Sequence, residues 1–236
     1  MPVLQLTHVS KSFKTSEGHL LALENIDLSV DNEEFACLVG PSGCGKSTVL
    51  RLVSGVETPT RGEIHLHGKP AMVFQQFALF PWLTVRENIE FPLKMRNINN
   101  MAKVTELISE MGLSGFENKH PKELSGGMKQ RVGIARALSV DPEVLLLDEP
   151  FSALDTFTAK SLRLELLKVW QAHKMTILMV THLVEEAVEL ADKIVVMSSR
   201  PGKILKVMDN KLSRPRNVRS KEFFKLVDEI SDLIQV

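Results

Sequence analysis

The chain has no tyrosine and only two cysteines, and none of its apolar stretches approaches the ~18 uninterrupted residues of a bilayer-spanning helix. Cys37 and Cys44 cannot build a disulfide framework, which fits a reducing compartment. The N-terminal MPVLQLTHVSKSF lacks a secretory signal pattern. An excess of charge is missing too. Lys plus Arg equals Asp plus Glu at 29 each, which argues against a nucleic-acid-coating surface while leaving room for a local basic patch. Repeats and low-complexity segments are absent. What is present is the composition of an ordinary soluble globular protein, long enough at 236 residues for one large α/β domain or a core with a subdomain. If such a chain works at a membrane, another chain must hold it there.

The apolar pattern gives the element order. VLQLTHVS and LENIDLSV, separated by the polar KTSEGH, read as an antiparallel β layer. FACLV (35–39) is a short apolar run, a buried strand that meets GPSGCGKST and then the helical VLRLVSGV. GEIHLHGKPAMVFQQ (62–76) reads as two more strands around a turn at Gly68 to Pro70. From about residue 77 to 140 the helical period dominates; Val104, Leu107, Ile108 and Met111 share a face that ends at Gly112, a natural C-cap. EVLLLDEP, KMTILMVTH and KIVVMSS are further buried strands with helices between them. Apolar strands alternating with helices mean a mostly parallel sheet covered on both faces. In the tail, Phe223, Leu226, Val227, Ile230, Leu233 and Ile234 form one apolar helical stripe. The basic RPRNVRSK before it reads as a solvated connector, with contact to lipid headgroups as the other reading.

Three segments carry phosphate chemistry. Gly40, Pro41, Ser42, Gly43, Cys44, Gly45, Lys46 and Ser47, followed by Thr48, fit G-x-x-x-x-G-K-[ST] between a strand and a helix. Glycines let consecutive N–H groups curl around phosphate oxygens, and the start of a helix adds its dipole. Lys46 supplies a point charge to the β and γ phosphates and Ser47 offers a hydroxyl to Mg²⁺. Asp148, at the carboxyl end of the LLLDEP strand, is a second Mg²⁺ anchor. Glu149 points elsewhere because strand side chains alternate, and it is a reasonable general base for water attacking the γ-phosphate. His182, closing TILMVTH, is placed for a γ-phosphate contact.

One further stretch, KELSGGMKQRVGIARAL, puts two glycines at the mouth of a good helix, where each costs about 1 kcal/mol relative to Ala. Either they bring bare N–H groups close to an anion, with Ser125 as N-cap, or they form an ordinary flexible helix start.

Taken in this order, these pieces resemble the ATP-binding subunits of ABC transporters, over about residues 3 to 200. GPSGCGKST looks like the Walker A loop, VFQQ the Q-loop, LSGGM the signature, LLLDEP the Walker B strand, SALD the D-loop and TH the H-loop. The resemblance implies a P-loop (RecA-like) core with an antiparallel β layer at 1–76 and 141–202. It implies a helical signature subdomain at 77–140, and a connector with an amphipathic helix at 203–236. It implies an ATPase with ATP and Mg²⁺ as cofactors, working as a head-to-tail homodimer or paired with a homologous ATPase. Ser125, Gly126, Gly127 and Met128 would face the γ-phosphate of ATP held by the other subunit. Gln75 would touch Mg²⁺ and the attacking water, Asp155 would reach across the dimer, and Phe13 would stack on adenine where relatives commonly have Tyr. Met128 stands where Gln is commoner, Leu183 stands where many relatives have Asp, and the turn before the Q-loop is short.

FALFPWLTVRENI, SSRPGKI and RPRN narrow the resemblance to the nitrate/sulfonate/taurine import ATPases. That implies a peripheral position at the cytoplasmic face of the cell membrane, a separate integral-membrane permease, an external solute-binding protein as an indirect partner, and no nucleic acid. The apolar Phe77–Leu83 segment fits either a groove for a permease helix or burial within the helical subdomain. Three rivals are weighed against this reading. An ABC-type ATPase acting on DNA or ribosomes would need coiled-coil inserts, zinc cysteines or tandem cassettes. An idle regulatory subunit would not need Lys46, Asp148, Glu149 and His182 together. Exporters often fuse the membrane span to the ATPase.

Overall fold

The computed structural model describes residues 2–16 and 18–235, and its packing divides the chain into two compact units, 1–68 with 175–236, and 69–174.

In the first unit, β1 (Pro2–Thr15) pairs antiparallel with β2 (Gly18–Asp31). The register shifts between Leu6 and Val9, where His8 takes a φ of 50°. This bulge resets the alternation, so that Leu4, Leu6 and Val9 are all buried. The strand β3 (Phe35–Val39) is buried along its whole length and leads into α1 (Lys46–Val53). The strand β4 (Arg61–Leu66) joins β1 antiparallel, completing a three-stranded layer in the order β2-β1-β4.

The second unit opens with β5 (Pro70–Val73), followed by the helices α2 (Val85–Met95), α3 (Met101–Glu110) and α4 (Gly126–Leu138). The strand β6 (Val144–Asp148), fully buried, runs parallel to β5, and α5 (Thr156–His173) follows. The two expected strands of residues 62–76 therefore both form, and each finds a different partner. The α3 face is as the spacing requires: Val104, Leu107 and Ile108 are buried, with Met111 beyond its end.

The chain then returns to the first unit through β7 (Thr176–Thr181), α6 (Val184–Leu190), β8 (Lys193–Met197), β9 (Ile204–Asp209) and α7 (Lys221–Gln235). Both β7 and β8 run parallel to β3, while β9 lies antiparallel on β8. The sequence reading missed β9, because an exposed edge strand with Lys206 in its middle lacks the apolar run that marks the others. The stripe on α7 buries Phe223, Val227 and Ile230 and half-buries Leu226, and the helix packs on α6 and β8. The Ser220 hydroxyl accepts from the Phe223 amide, capping it.

The basic stretch before α7 needs correction. It is not a solvated connector at its first two arginines. Arg214 pairs with Asp192. The Arg216 side chain is only 1% exposed and donates to the carbonyls of Leu212 and Glu189. Burial pulls its guanidinium down to about 10, still a cation at neutral pH, so these arginines fasten the chain rather than present charge.

One acid sets the approach to α4. The Glu123 carboxylate accepts from the His120 amide at 2.8 Å and from Lys119 at 3.0 Å, closing the short 3-10 turn Pro121–Glu123. Those bonds, the amide first, hold its carboxyl down at about 2 from 4.5. A lowered carboxyl stabilises the fold above its unfolded value and loses that contribution as pH falls through the folded one. Thermal melts followed between pH 5 and 2 should therefore fall less steeply in Glu123→Ala than in the parent chain. Parallel slopes would remove Glu123 from this role.

Candidate functional site

In the first unit, β3 delivers the chain directly into the Gly40–Gly45 loop, and α1 begins at Lys46. Gly45 holds a φ of 107°, and a Cβ on it would lie 2.6 Å from the Leu23 side chain, so both backbone and space demand glycine. No side chain caps α1, so its first-turn N–H groups open onto the loop's concavity. Lys46 is only 4% exposed, and its ammonium donates to the carbonyls of Gly40 at 2.7 Å and Pro41 at 3.0 Å. Phosphate oxygens are stronger acceptors for those same donors. Ser47 and Thr48 follow in the first turn, half-buried.

His182 follows β7 directly and is exposed. Its turn is made by Thr181, whose hydroxyl donates to the buried Glu186 at 2.7 Å and accepts from the Leu183 amide at 3.1 Å. Leu183 is 42% exposed and its side chain caps nothing, so the turn stands on Thr181. Phe13 lies half-buried on β1, opposite Leu20, with the Lys11 ammonium 4.9 Å from its ring centroid.

In the second unit, Asp148 ends β6 and is 5% exposed. Glu149 then turns with a φ of 43°, and its carboxylate accepts from the Gln75 amide at 3.2 Å. Carboxylate, amide and hydroxyl oxygens are the hard donors Mg²⁺ prefers. Among the described residues, no cluster of three or more His, Cys, Asp or Glu is arranged to hold a metal ion.

One of the paired glycines, Gly127, has a packing role. Ser125 caps α4, accepting from the Met128 amide at 3.3 Å. A Cβ on the buried Gly127 would lie 2.4 Å from the Thr158 methyl, so α4 and α5 start close together. A forked ion pair, Arg131 to Glu165 at 2.9 and 2.7 Å, joins the same two helices. Asp155 caps α5 through the amides of Phe157 at 3.1 Å and Thr158 at 3.0 Å. The Thr158 side chain and amide hold its carboxyl below the usual range.

Sequence reasoning passed over two residues that shape the Phe77–Leu83 segment. Asn88 is fully buried; its amide nitrogen donates to the carbonyls of Phe80, Leu83 and Thr84, and its oxygen accepts from the Phe80 amide at 2.9 Å. Arg136 donates to the carbonyls of Ala78 at 2.7 Å and Phe77 at 3.3 Å, with its guanidinium over the Phe80 ring. Burial does not extend through the whole segment: Phe77, Leu79, Phe80 and Leu83 are half-buried, while Trp82 is 70% exposed. A polar side chain at Asn88, inside the apolar face of Val85 and Ile89, was the available signal.

The ABC transporter family profile matches residues 23–152. The aliphatic sulfonates import ATP-binding protein SsuB of Bacillus thuringiensis is 46% identical, over 94% of this chain and 92% of its own. The nitrate import ATP-binding protein NrtD of Synechocystis is 44% identical, over 98% and 95%. A solved ATP-binding cassette, dimeric in a post-hydrolysis state with ADP and Pi, superposes with a TM-score of 0.79 at 31% identity, covering 88% of this chain and 99% of that one. On this family match, these identities over nearly the whole chain and this shared fold, the chain belongs to the ABC transporter family, as one of its ATP-hydrolysing cassettes.

Proposed function

We propose that this cassette powers uptake of a small solute, of the sulfonate, nitrate or taurine type, through a separate permease. The observation that carries this is full-length similarity, at 44–46% identity, to relatives named for sulfonate and nitrate import. Two copies, or one copy and a homologous ATPase, bind two ATPs head to tail at the cytoplasmic face of the membrane, as the dimeric state of the solved cassette suggests. An external binding protein delivers the solute. ATP binding closes the pair, hydrolysis reopens it, and the motion drives the permease.

Within each copy the roles divide by chemistry. Lys46 and the Gly40–Ser47 amides bind and orient the phosphates, and Phe13 stacks on the base. Ser47, Asp148 and Gln75 are the oxygen donors that would hold Mg²⁺, which neutralises phosphate charge when bound. Glu149 takes the proton of the attacking water, oriented by Gln75, and His182 steadies the γ-phosphate. Ser125, Gly126, Gly127 and Met128 act on the nucleotide of the paired copy, and Asp155 reaches toward it.

Trp82 is the contact offered to the permease. Its loop is fastened from beneath by Asn88 and Arg136, so an exposed aromatic stands on a rigid base.

The test is a mild-detergent pull-down of the chain from its native membranes. A stoichiometric polytopic permease is expected; recovery with ribosomes or nucleic acid, or of the chain alone, would sink the importer reading. In the same assay Trp82→Ala should lose the permease while the purified variant keeps its ATPase rate, and retained binding would remove Trp82 from the interface. Glu149→Gln should bind ATP normally, lose about 10²- to 10⁴-fold in turnover and accumulate as an ATP-bound dimer on gel filtration. Full turnover would exclude Glu149 as the base. Lys46→Ala should weaken ATP binding itself by about 10- to 100-fold, measured by equilibrium titration.

A further inference from the structure

The loop between β8 and β9, residues 198–203, is pressed against the phosphate-binding loop. It is closed on itself: the Ser198 amide donates to the Lys203 carbonyl at 2.9 Å, and the Lys203 amide donates to the Ser198 hydroxyl at 3.0 Å. It is also clipped to β2, where the Gly202 amide donates to the Ala22 carbonyl at 2.9 Å and the Gly202 carbonyl accepts from the Glu24 amide at 3.0 Å. The approach to the P-loop is so close that a Cβ on Gly202 would lie on the Cys44 carbonyl oxygen. From this platform the Arg200 guanidinium donates twice to one acceptor, the Gly43 carbonyl, through Nε at 3.2 Å and Nη2 at 3.0 Å.

That carbonyl belongs to the peptide unit joining Gly43 to Cys44. The other end of the unit is held as well, because the Cys44 amide donates to the Pro41 carbonyl at 3.3 Å. A peptide plane gripped at both ends cannot rotate, and Gly43, with a φ of 76°, has no side chain of its own to restrain it. The unit lies immediately before Gly45 and Lys46, whose amides open the phosphate cradle. A carbonyl swung inward at this point would set a negative dipole against a polyphosphate.

We infer that Arg200 is a positioning residue for nucleotide binding: it pins the Gly43 carbonyl outward, so the P-loop meets phosphate already shaped for it. The inference rests on the reading of residues 40–48 as the ATP site. Pre-organisation of this kind acts on affinity, since the ordering cost is removed before the ligand arrives. It leaves the chemical step to other groups.

The experiment compares the purified chain with Arg200→Ala, Arg200→Lys and Lys46→Ala, using ATP as the probe, with Kd, KM, kcat and the melting temperature without nucleotide as readouts. Arg200→Ala should raise Kd and KM together by about three- to tenfold, the loss of one exposed charge-assisted grip. Its kcat at saturating ATP should stay within about twofold, and the nucleotide-free melting temperature should be unchanged. Lys has the charge without the fork, so Arg200→Lys should recover the affinity only in part. Should the alanine variant fail to fold, Arg200→Gln, close in length and polar, takes its place with the same expectation. Wild-type affinity in the Ala or Gln variant overturns the inference, as does a fall in kcat with affinity unchanged. Complete rescue by Lys assigns the effect to charge alone and overturns the pinning. Unchanged ATP binding in Lys46→Ala would instead bring down the reading of the site itself.

Discussion

A strand buried on both faces can carry no charge along its length, because an unpaired ion there would lose its hydration with nothing in return. That constraint orders this molecule. In the first unit β3 and β7 are buried from end to end, and the P-loop and His182 begin where each stops. In the second unit β6 is equally buried, and Asp148 and Glu149 stand at its carboxyl end. Chemistry is confined to strand ends, and the loops there must satisfy their own backbone groups while leaving N–H donors for a ligand.

The loops manage this with borrowed side chains. Lys46 turns back on two carbonyls of its own loop. Asn88 spends its amide on three carbonyls and one N–H of the segment around Phe80 and Leu83. Arg136 holds the other side of that segment, and burial lowers its guanidinium's pKa from the usual value. Arg216 does the same for the stretch before α7. In each case a cation or amide meets irregular backbone where a helix or sheet ladder would otherwise have served, and the result is a rigid loop with no regular structure.

Glycine appears where elements come together. At Gly127 it lets α4 and α5 begin side by side, and the Arg131–Glu165 fork keeps the two helices joined further along. The second of the paired glycines at the helix mouth thus has a structural use within this chain, apart from the anion-facing role that the family resemblance implies.

The parts of the protein that depend on neighbours in sequence were legible in the sequence. The G-x-x-x-x-G-K-S spacing, the apolar strands, the Ser125 cap and the stripe on α7 are each fixed within a few residues by local sterics and periodicity. What depended on distant partners was not. The register shift at His8, the separate partners of β4 and β5, the edge strand β9 and the anchoring of Arg216 follow from pairings that no local pattern encodes. The same holds for Arg200, whose neighbours in sequence give no sign of its partner. Only the folded chain brings its guanidinium to the Gly43 carbonyl, 157 residues away, because local propensity sets the elements and long-range packing decides which carbonyl meets which donor.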